Sequence, residues 1–341
     1  MQVSTIGLDI AKNVFQVHGV DEAGAAVLRR KLRRGAVMGF FAGLEPCLVG
    51  IEASCGAHHW ARELGALGHE VRLLPPSYVK AYLKRGKNDA ADAEAICEAV
   101  TRPSMRFVPV KSAAQQAALA AHRVREALVR QRTMLINVLR SQMAEFGLIA
   151  PRGRHKSRAL IALLGQEDAR IPAPARAMLQ ELVAAIAALE PRIAETERAM
   201  RSAVRQSPLA QALMTIPGIG PITASALLAT VGDPKRFRSA RHFAAWLGLV
   251  ARQNSSGGKP RLGRISKMGD RYLRKLLVLG ATSSLRRARR EQTPLAAWTR
   301  RLLERRPPRL VSLALANKTA RIVWAVMTRG EIYRPEAAAA P

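Results

Sequence analysis

Four carboxylates in the first hundred residues have the types and spacing for metal-assisted phosphoryl chemistry. Asp9 closes an apolar run, Ile6-Gly7-Leu8-Asp9, and Glu52 closes a second, Val49-Gly50-Ile51-Glu52. A carboxylate at a strand end is hydrated and aimed at a crevice, whereas one inside the run would need a costly buried partner. Asp89 and Asp92, in the stretch KNDAADAEA, fall three apart on a predicted helix and share its face. Should the four converge, their repulsion calls for hard cations, and all-oxygen donors suit Mg²⁺, with Mn²⁺ as the alternative. A metal pair ~3.5–4 Å apart is the usual device for stabilising both oxygens in phosphodiester cleavage. Taken singly, each acid has a plainer role: a turn residue, an exposed strand end, or a first-turn pair favoured by the helix dipole. Their order in a strongly basic chain is what favours a metal site.

A second constellation runs from Gly248 to Arg274. Ser255 and Ser256 precede Gly257 and Gly258, and Lys259, Arg261, Arg264, Lys267, Arg271 and Arg274 follow. Flexible glycines let backbone approach a phosphate and the cations neutralise it; the residues themselves read as a phosphate-gripping loop, with a nucleophilic serine as the other reading. A third stretch, TIPGIGPITA from Thr215 to Ala224, separates two helical segments. It has the pattern of a helix-hairpin-helix turn, in which Gly218 and Gly220 would free N–H groups for a sugar-phosphate backbone; a tight connection that only packs two helices is the alternative.

The elements that must position these groups change character along the chain. Apolar, β-rich runs at Val3–Asp9, Val14–Val20 and Val27–Leu32 predict two tight hairpins. A short helix at Val37–Leu44, a strand at Leu48–Glu52, a helix at Ala57–Leu67, a strand at His69–Leu74 and a helix over Asp89–Val100 follow. Three early strands and then alternating helices and strands predict a mixed α/β sheet with helices on its faces. Beyond residue 110 strand signals vanish. Two long amphipathic helices are expected. One carries Val124, Leu128, Leu135, Leu139, Met143 and Phe146, the other Leu182, Ile186, Leu189, Ile193, Thr196 and Met200. Their seam fits either an intrachain antiparallel pair or a coiled coil between protomers. Ile149 to Ala159, rich in Pro, Gly and basic residues, reads as a loop or hinge.

Charge separates the two halves further. Residues 1–100 carry 12 basic and 11 acidic groups, whereas residues 235–334 carry 25 and 4, within a chain whose formal charge is +30. No neutral metabolite requires such a charge, and a near-balanced block followed by a basic one reads as a chemical domain joined to a phosphate-binding one. Cys47, Cys55 and Cys97 form no CxxC pair, which leaves neither a zinc knuckle nor a disulfide framework and fits a reducing cytoplasm. The N-terminus lacks the pattern of a signal peptide, and no apolar run of ~18 residues predicts a membrane span.

Together, the GLDIAKN opening, VGIEAS around Glu52, KRGKNDAADAEAI, PGIGPITA and SSGGKPRLGRISKMGDRYLRKLL resemble the DEDD transposases of the insertion-sequence-110 family. The likeness is greatest to the insertion-sequence-1111 branch and runs from about residue 3 to residue 330. The resemblance implies a RuvC-like, ribonuclease-H-type domain over residues 1–110 and a helical coiled-coil or linker region over 111–206. A mostly helical C-terminal transposase domain with a helix-hairpin-helix-like motif would cover 207–334, and 335–341 would be a disordered tail. By position, the tetrad falls on Asp9, Glu52, Asp89 and Asp92, and the nucleophilic serine on Ser256, with Ser255 as the adjacent register. Such proteins are bacterial, cytoplasmic and nucleoid-associated recombinases. They work on element and target DNA as dimers or tetramers, guided by a noncoding bridge RNA. The acids and the serine would then meet in one composite site. A metal nuclease such as a junction resolvase, in which water attacks, and a noncatalytic nucleic-acid-binding protein are the competing readings.

Overall fold

The computed structural model describes residues 2–83, 88–149, 153–165 and 170–335. The chain divides into two compact units, Met1–Gln116 and Ala117–Pro341.

The first unit is built on a five-stranded mixed sheet of β1 (Thr5–Ile10), β2 (Val14–Val20), β3 (Ala26–Arg33), β4 (Leu48–Glu52) and β5 (Glu70–Leu74). The strand order is β3-β2-β1-β4-β5. The first three strands pair antiparallel, and β4 runs parallel to both β1 and β5. Its helices are α1 (Val37–Ala42), α2 (Ala57–Ala66), α3 (Pro76–Val79) and α4 (Asp89–Val100). The mixed sheet with flanking helices is the expected architecture.

Alternation gives this sheet two unlike faces. Ile6, Leu8, Phe15, Val17, Val49 and Ile51 point to one side and join Phe41 of α1 and Trp60 and Leu64 of α2 in a buried core. Phe15 and Trp60 meet edge to face at 4.9 Å, worth about 1 kcal/mol beyond the area they bury. The other face carries glycine where α4 crosses it. A Cβ on Gly7 would lie 2.1 Å from the Ala93 carbonyl oxygen, and one on Gly50 would lie 2.8 Å from Val100 Cβ. The helix therefore rests directly on strand backbone.

The second unit is mainly helical. It comprises α5 (Ala113–Glu145), whose first turn belongs to the first unit, α6 (Arg154–Leu164), α7 (Ala173–Arg205), α8 (Pro208–Met214), α9 (Pro221–Val231) and α10 (Ala240–Trp246). The hairpin strands β6 (Ala251–Gln253) and β7 (Leu262–Ile265) come next, then α11 (Arg271–Arg287), α12 (Pro294–Leu303) and α13 (Pro308–Arg329). The hairpin corrects the expectation that strands end near residue 110. Helix α6 likewise corrects the loop read over 149–159: Pro151 and Gly153 precede the helix, and the polar start at Arg154 leads into the apolar ALIALL. Residues 150–152 of that loop lie outside the described residues, as do residues 336–341 of the expected tail.

α5 and α7 pack against each other antiparallel within the chain. Leu128 meets Leu189 and Ile193, and Leu139 and Met143 join Leu179 and Ile186. Arg125 binds Glu197 at 2.6 Å and Arg132 binds Glu190 at 3.1 Å along the same seam. Val124, placed in that seam by spacing, is instead 52% exposed, and Arg132 takes an inward position. α13 is long and apolar enough to cross a bilayer, with a mean hydropathy of 1.3 over its best window. It serves here as a core helix, with Val311, Ala316, Ala320 and Val323 fully buried.

Candidate functional site

Three of the four acids converge. Asp9, Asp89 and Asp92 each offer a carboxylate oxygen, and these oxygens all lie within 4.8 Å of one another. Asp9 is half-buried at the end of β1, while Asp89 and Asp92 occupy the first turn of α4. Asn88 caps that helix by accepting the Ala91 N–H at 2.8 Å, which leaves both aspartates to face the strand end. Glu52 stands beside Asp9 at the end of the parallel neighbour β4, outside the three-residue group.

Burial first, and then the charges of Asp92, Asp89 and Glu52, push the Asp9 carboxyl up to about 6 from an ordinary 3.8, against a lowering contact from the Ile10 backbone. Crowded acids that raise one another's affinity for a proton also raise their affinity for a cation, and a hard-oxygen donor set of this kind fits a divalent metal.

The glycines explain why the cluster forms. Gly7 and Asp9 are two apart on β1, and Gly50 and Glu52 two apart on β4, so each glycine shares its acid's sheet face. Because both glycines lack a Cβ, α4 sinks onto the strands and delivers Asp89 and Asp92 to Asp9. Gly7 and Gly50 are functional residues that the sequence reading passed over as parts of apolar runs. The glycine-x-acid pattern at both strand ends was the available signal.

Ser256 belongs to the second unit, at the tip of the β6–β7 hairpin, where residues 251–264 are all exposed. The hairpin's neck is closely packed. A Cβ on Gly248 would lie 2.0 Å from the Met268 carbonyl oxygen, and one on Gly269 would lie 1.9 Å from that of Trp246. Arg274 donates to the Leu247 carbonyl at 2.9 Å and to the Met268 carbonyl at 3.0 Å, tying both hairpin legs to α11. Asp270 caps α11 by accepting the Leu273 N–H at 2.7 Å.

At the tip, the two serines differ. Ser255 Oγ accepts the Arg261 N–H at 3.0 Å, bracing the turn. The Ser256 carbonyl accepts from Lys259 at 3.0 Å, while its hydroxyl has no hydrogen-bond partner among the described residues. Lys259, Arg261, Arg264, Lys267 and Arg271 are all exposed, the first three on the hairpin and the last two at its neck.

The turn between α8 and α9 has a packing reason for one of its glycines. Gly218 has φ of 90°, and a Cβ there would meet the Gly280 carbonyl oxygen of α11 at 2.7 Å. Gly220 caps α9 with extended backbone and open space around it.

Comparison with known proteins identifies the family. A DEDD transposase model of the IS110 family matches residues 6–147, and a model described as "Transposase IS116/IS110/IS902 family" matches residues 210–295. A "Probable family 20 transposase" of Pseudomonas aeruginosa is 53% identical over 98% of this chain and 100% of its own length. The chain is an IS110-family transposase. The transposase for insertion sequence element IS1328 of Yersinia enterocolitica is 42% identical over 97% of this chain and 98% of its own. That for IS1111A of Coxiella burnetii is 38% identical over 97% and 92%. Membership brings DNA binding, and DNA cleavage and rejoining, to the transposase described above, and its acidic cluster is where a divalent metal fits.

Proposed function

We propose that this transposase excises and inserts its element through a covalent link between DNA and Ser256, made at a phosphate held by the acids of the front unit. The observation that carries the reading is the convergence of Asp9, Asp89 and Asp92 within 4.8 Å on a helix seated by two glycines. With Glu52 they form the oxygen-rich wall that would hold Mg²⁺ or Mn²⁺. When bound, such an ion supplies positive charge to the scissile phosphate and to the departing oxygen. The strand order, with three antiparallel strands followed by parallel β4 and β5, supports a RuvC-like reading of the front unit.

The remaining chemistry belongs to the chain. The Ser256 hydroxyl loses its proton to solvent or base as Oγ bonds to phosphorus; the bond from phosphorus to the 3′ oxygen breaks, and that oxygen leaves as a hydroxyl. The phosphoserine ester keeps the energy of the broken bond, so a 3′ hydroxyl from another strand can reverse the step and rejoin DNA. Lys259, Arg261, Arg264 and Lys267 would offset charge on the phosphate as it becomes pentacovalent. The Ser255 hydroxyl is engaged in the turn and, among the described residues, the Ser256 hydroxyl has no partner, which favours Ser256 as the attacking residue.

The same reading makes Gly218, Gly220 and Arg271 further contacts to the nucleic-acid backbone, and a noncoding guide RNA the source of target choice. The transposase would act on the bacterial nucleoid, in the cytoplasm. Copies would associate as dimers or tetramers through the outward side of α5, where Met134 is 55% and Val138 41% exposed.

The test incubates the protein with element DNA, candidate RNA and Mg²⁺, then denatures it and looks for a protein-linked strand. The adduct should form, disappear in Ser256→Ala and persist in Ser255→Ala. Cutting that survives Ser256→Ala without an adduct would assign the reaction to a water-using nuclease. Neither cutting nor adduct in the unmodified protein would leave only binding.

A further inference from the structure

The sheet face that carries Asp9 continues into a trough between β2, β3 and α4. Two adjoining cavities of about 480 and 230 Å³ share His18, Arg29, Ala91 and Glu94. The smaller one reaches Gln16 and Asn88, the first paired with Asp9 across the sheet and the second next to Asp89. The larger one extends away from the acids to Tyr82, Glu98 and Thr101. It lies wholly within the first unit.

Strand register places a line of cations along the trough. Asp9 pairs with Gln16 and Gln16 with Lys31, while Gly7 pairs with His18 and His18 with Arg29. Lys31 therefore faces the same side as Asp9, two strands and about 10 Å away. Arg29, Lys31 and Arg33 alternate along this edge strand and are all exposed, with ~7 Å between successive positions. Such a row suits consecutive phosphates of one nucleic-acid strand.

The larger cavity suits a base. Its volume falls in the ordinary range for small-ligand sites of about 300–1,000 Å³. Tyr82 offers an aromatic surface on which a base can stack, and Glu98 on the cavity wall is paired with Arg102. A paired base has its edge and faces occupied, so only an unpaired nucleotide fits.

We infer that this trough is a subsite for one unpaired nucleotide of the DNA strand being cut, its phosphate on Arg29 and Lys31 and its base beside Tyr82. The inference rests on the proposal that the acids hold the scissile phosphate, and it adds what aligns that phosphate.

The test measures binding of the full protein to labelled single strands of the element's own end, without divalent cation and at about 0.3 M salt to suppress nonspecific attraction. Each nucleotide flanking the cut is replaced in turn by an abasic residue. One flanking position should cost the unmodified protein about tenfold in affinity. Ala26→Trp fills the larger cavity from an exposed strand position that tolerates an aromatic. It should bind intact DNA about tenfold more weakly and be indifferent to the abasic change. Equal abasic effects at every position, or a wild-type profile in Ala26→Trp, would overturn the subsite. The contrast appearing with RNA strands alone would overturn its assignment to DNA. Because no cutting is needed, the two proposals fail separately. An abasic signal in a protein that never cuts removes the acid-site reading, and cutting without the signal removes the trough.

Discussion

The acid cluster and the serine hairpin are built by opposite means. Asp9, Asp89 and Asp92 stand on a strand and a helix whose backbones touch, so their separation is set by covalent geometry and close packing. Ser256 stands on a hairpin whose neck is clamped by Gly248, Gly269 and Arg274 and whose residues 251–264 are all exposed. The first arrangement preorganises a charge-binding centre before any DNA arrives. The second presents an exposed hydroxyl on a cationic hairpin, without a hydrogen-bond partner among the described residues, for a phosphate to meet. Glycine serves both: at Gly7 and Gly50 it removes a side chain so that two elements can touch, and at Gly257 and Gly258, with φ of 54° and 73°, it lets the tip turn back on itself.

The largest effect should come from the acids. Asp92→Asn should lower strand cutting about 10³-fold or more in a gel assay while leaving DNA binding intact, because it removes a charge that acts only at the reacting phosphate. Retention of more than a tenth of the activity would take Asp92 out of the cluster's work.

A paired glycine experiment sharpens the contrast in stability. Gly7→Ala forces a methyl into the Ala93 carbonyl and should destabilise the protein by about 3 kcal/mol or more. Gly258→Ala has open space around it and should cost only about 1 kcal/mol, through its positive φ. Denaturant melts of the two variants give the comparison, and equal losses would mean that α4 does not depend on bare backbone.

Metal addition should stabilise the front unit in a pH-dependent way. The Asp9 carboxyl is raised to about 6 in the folded chain. Its contribution to stability is therefore present below about pH 4 and lost as pH rises through about 6. Mg²⁺ or Mn²⁺ at 100 times its dissociation constant should restore about 2.7 kcal/mol. The rise in Tm should be larger at pH 8 than at pH 5.5, where protons compete for Asp9, and should vanish in Asp9→Asn. An equal shift at both pH values would disconnect the metal from this carboxylate.

The smallest effect lies in the interior of the second unit. His122 is buried between Tyr272 and Ser225, 3.1 Å from each hydroxyl. Burial, and then the charge of Arg125, lower it from 6.5 to about 4. A depressed histidine stabilises the fold fully above its unfolded value and less as pH falls from 6.5 toward 4. His122→Gln should flatten the pH dependence of unfolding in that window, and an unchanged slope would mean that other groups carry it.

Much of the front unit was legible because its elements follow simple periods. Val14–Val20 and Leu48–Glu52 are bounded as the apolar runs predict, and α4 spans Asp89–Val100 as expected. The β6–β7 hairpin was not legible: its strands have three and four residues, lie almost wholly exposed, and so carry no buried-face alternation. Helix α6 was hidden by the proline and glycine just before it. Val124 misled because spacing alone did not fix the phase of α5, whose seam admits Arg132 through its ion pair with Glu190. Among the site residues, each acid was visible by its place at a strand end or on a helix. Gly7 and Gly50 were marked only by their place two residues before an acid, since their role depends on which helix crosses which strands.

Mass spectrometry of the protein after reaction with element DNA, guide RNA and Mg²⁺ tests the central claim most directly. The account predicts a nucleotide remnant on Ser256, absent in chelator and absent in Asp92→Asn. Fully cut DNA ending in free 5′ phosphates, with unmodified Ser256 throughout, would contradict it.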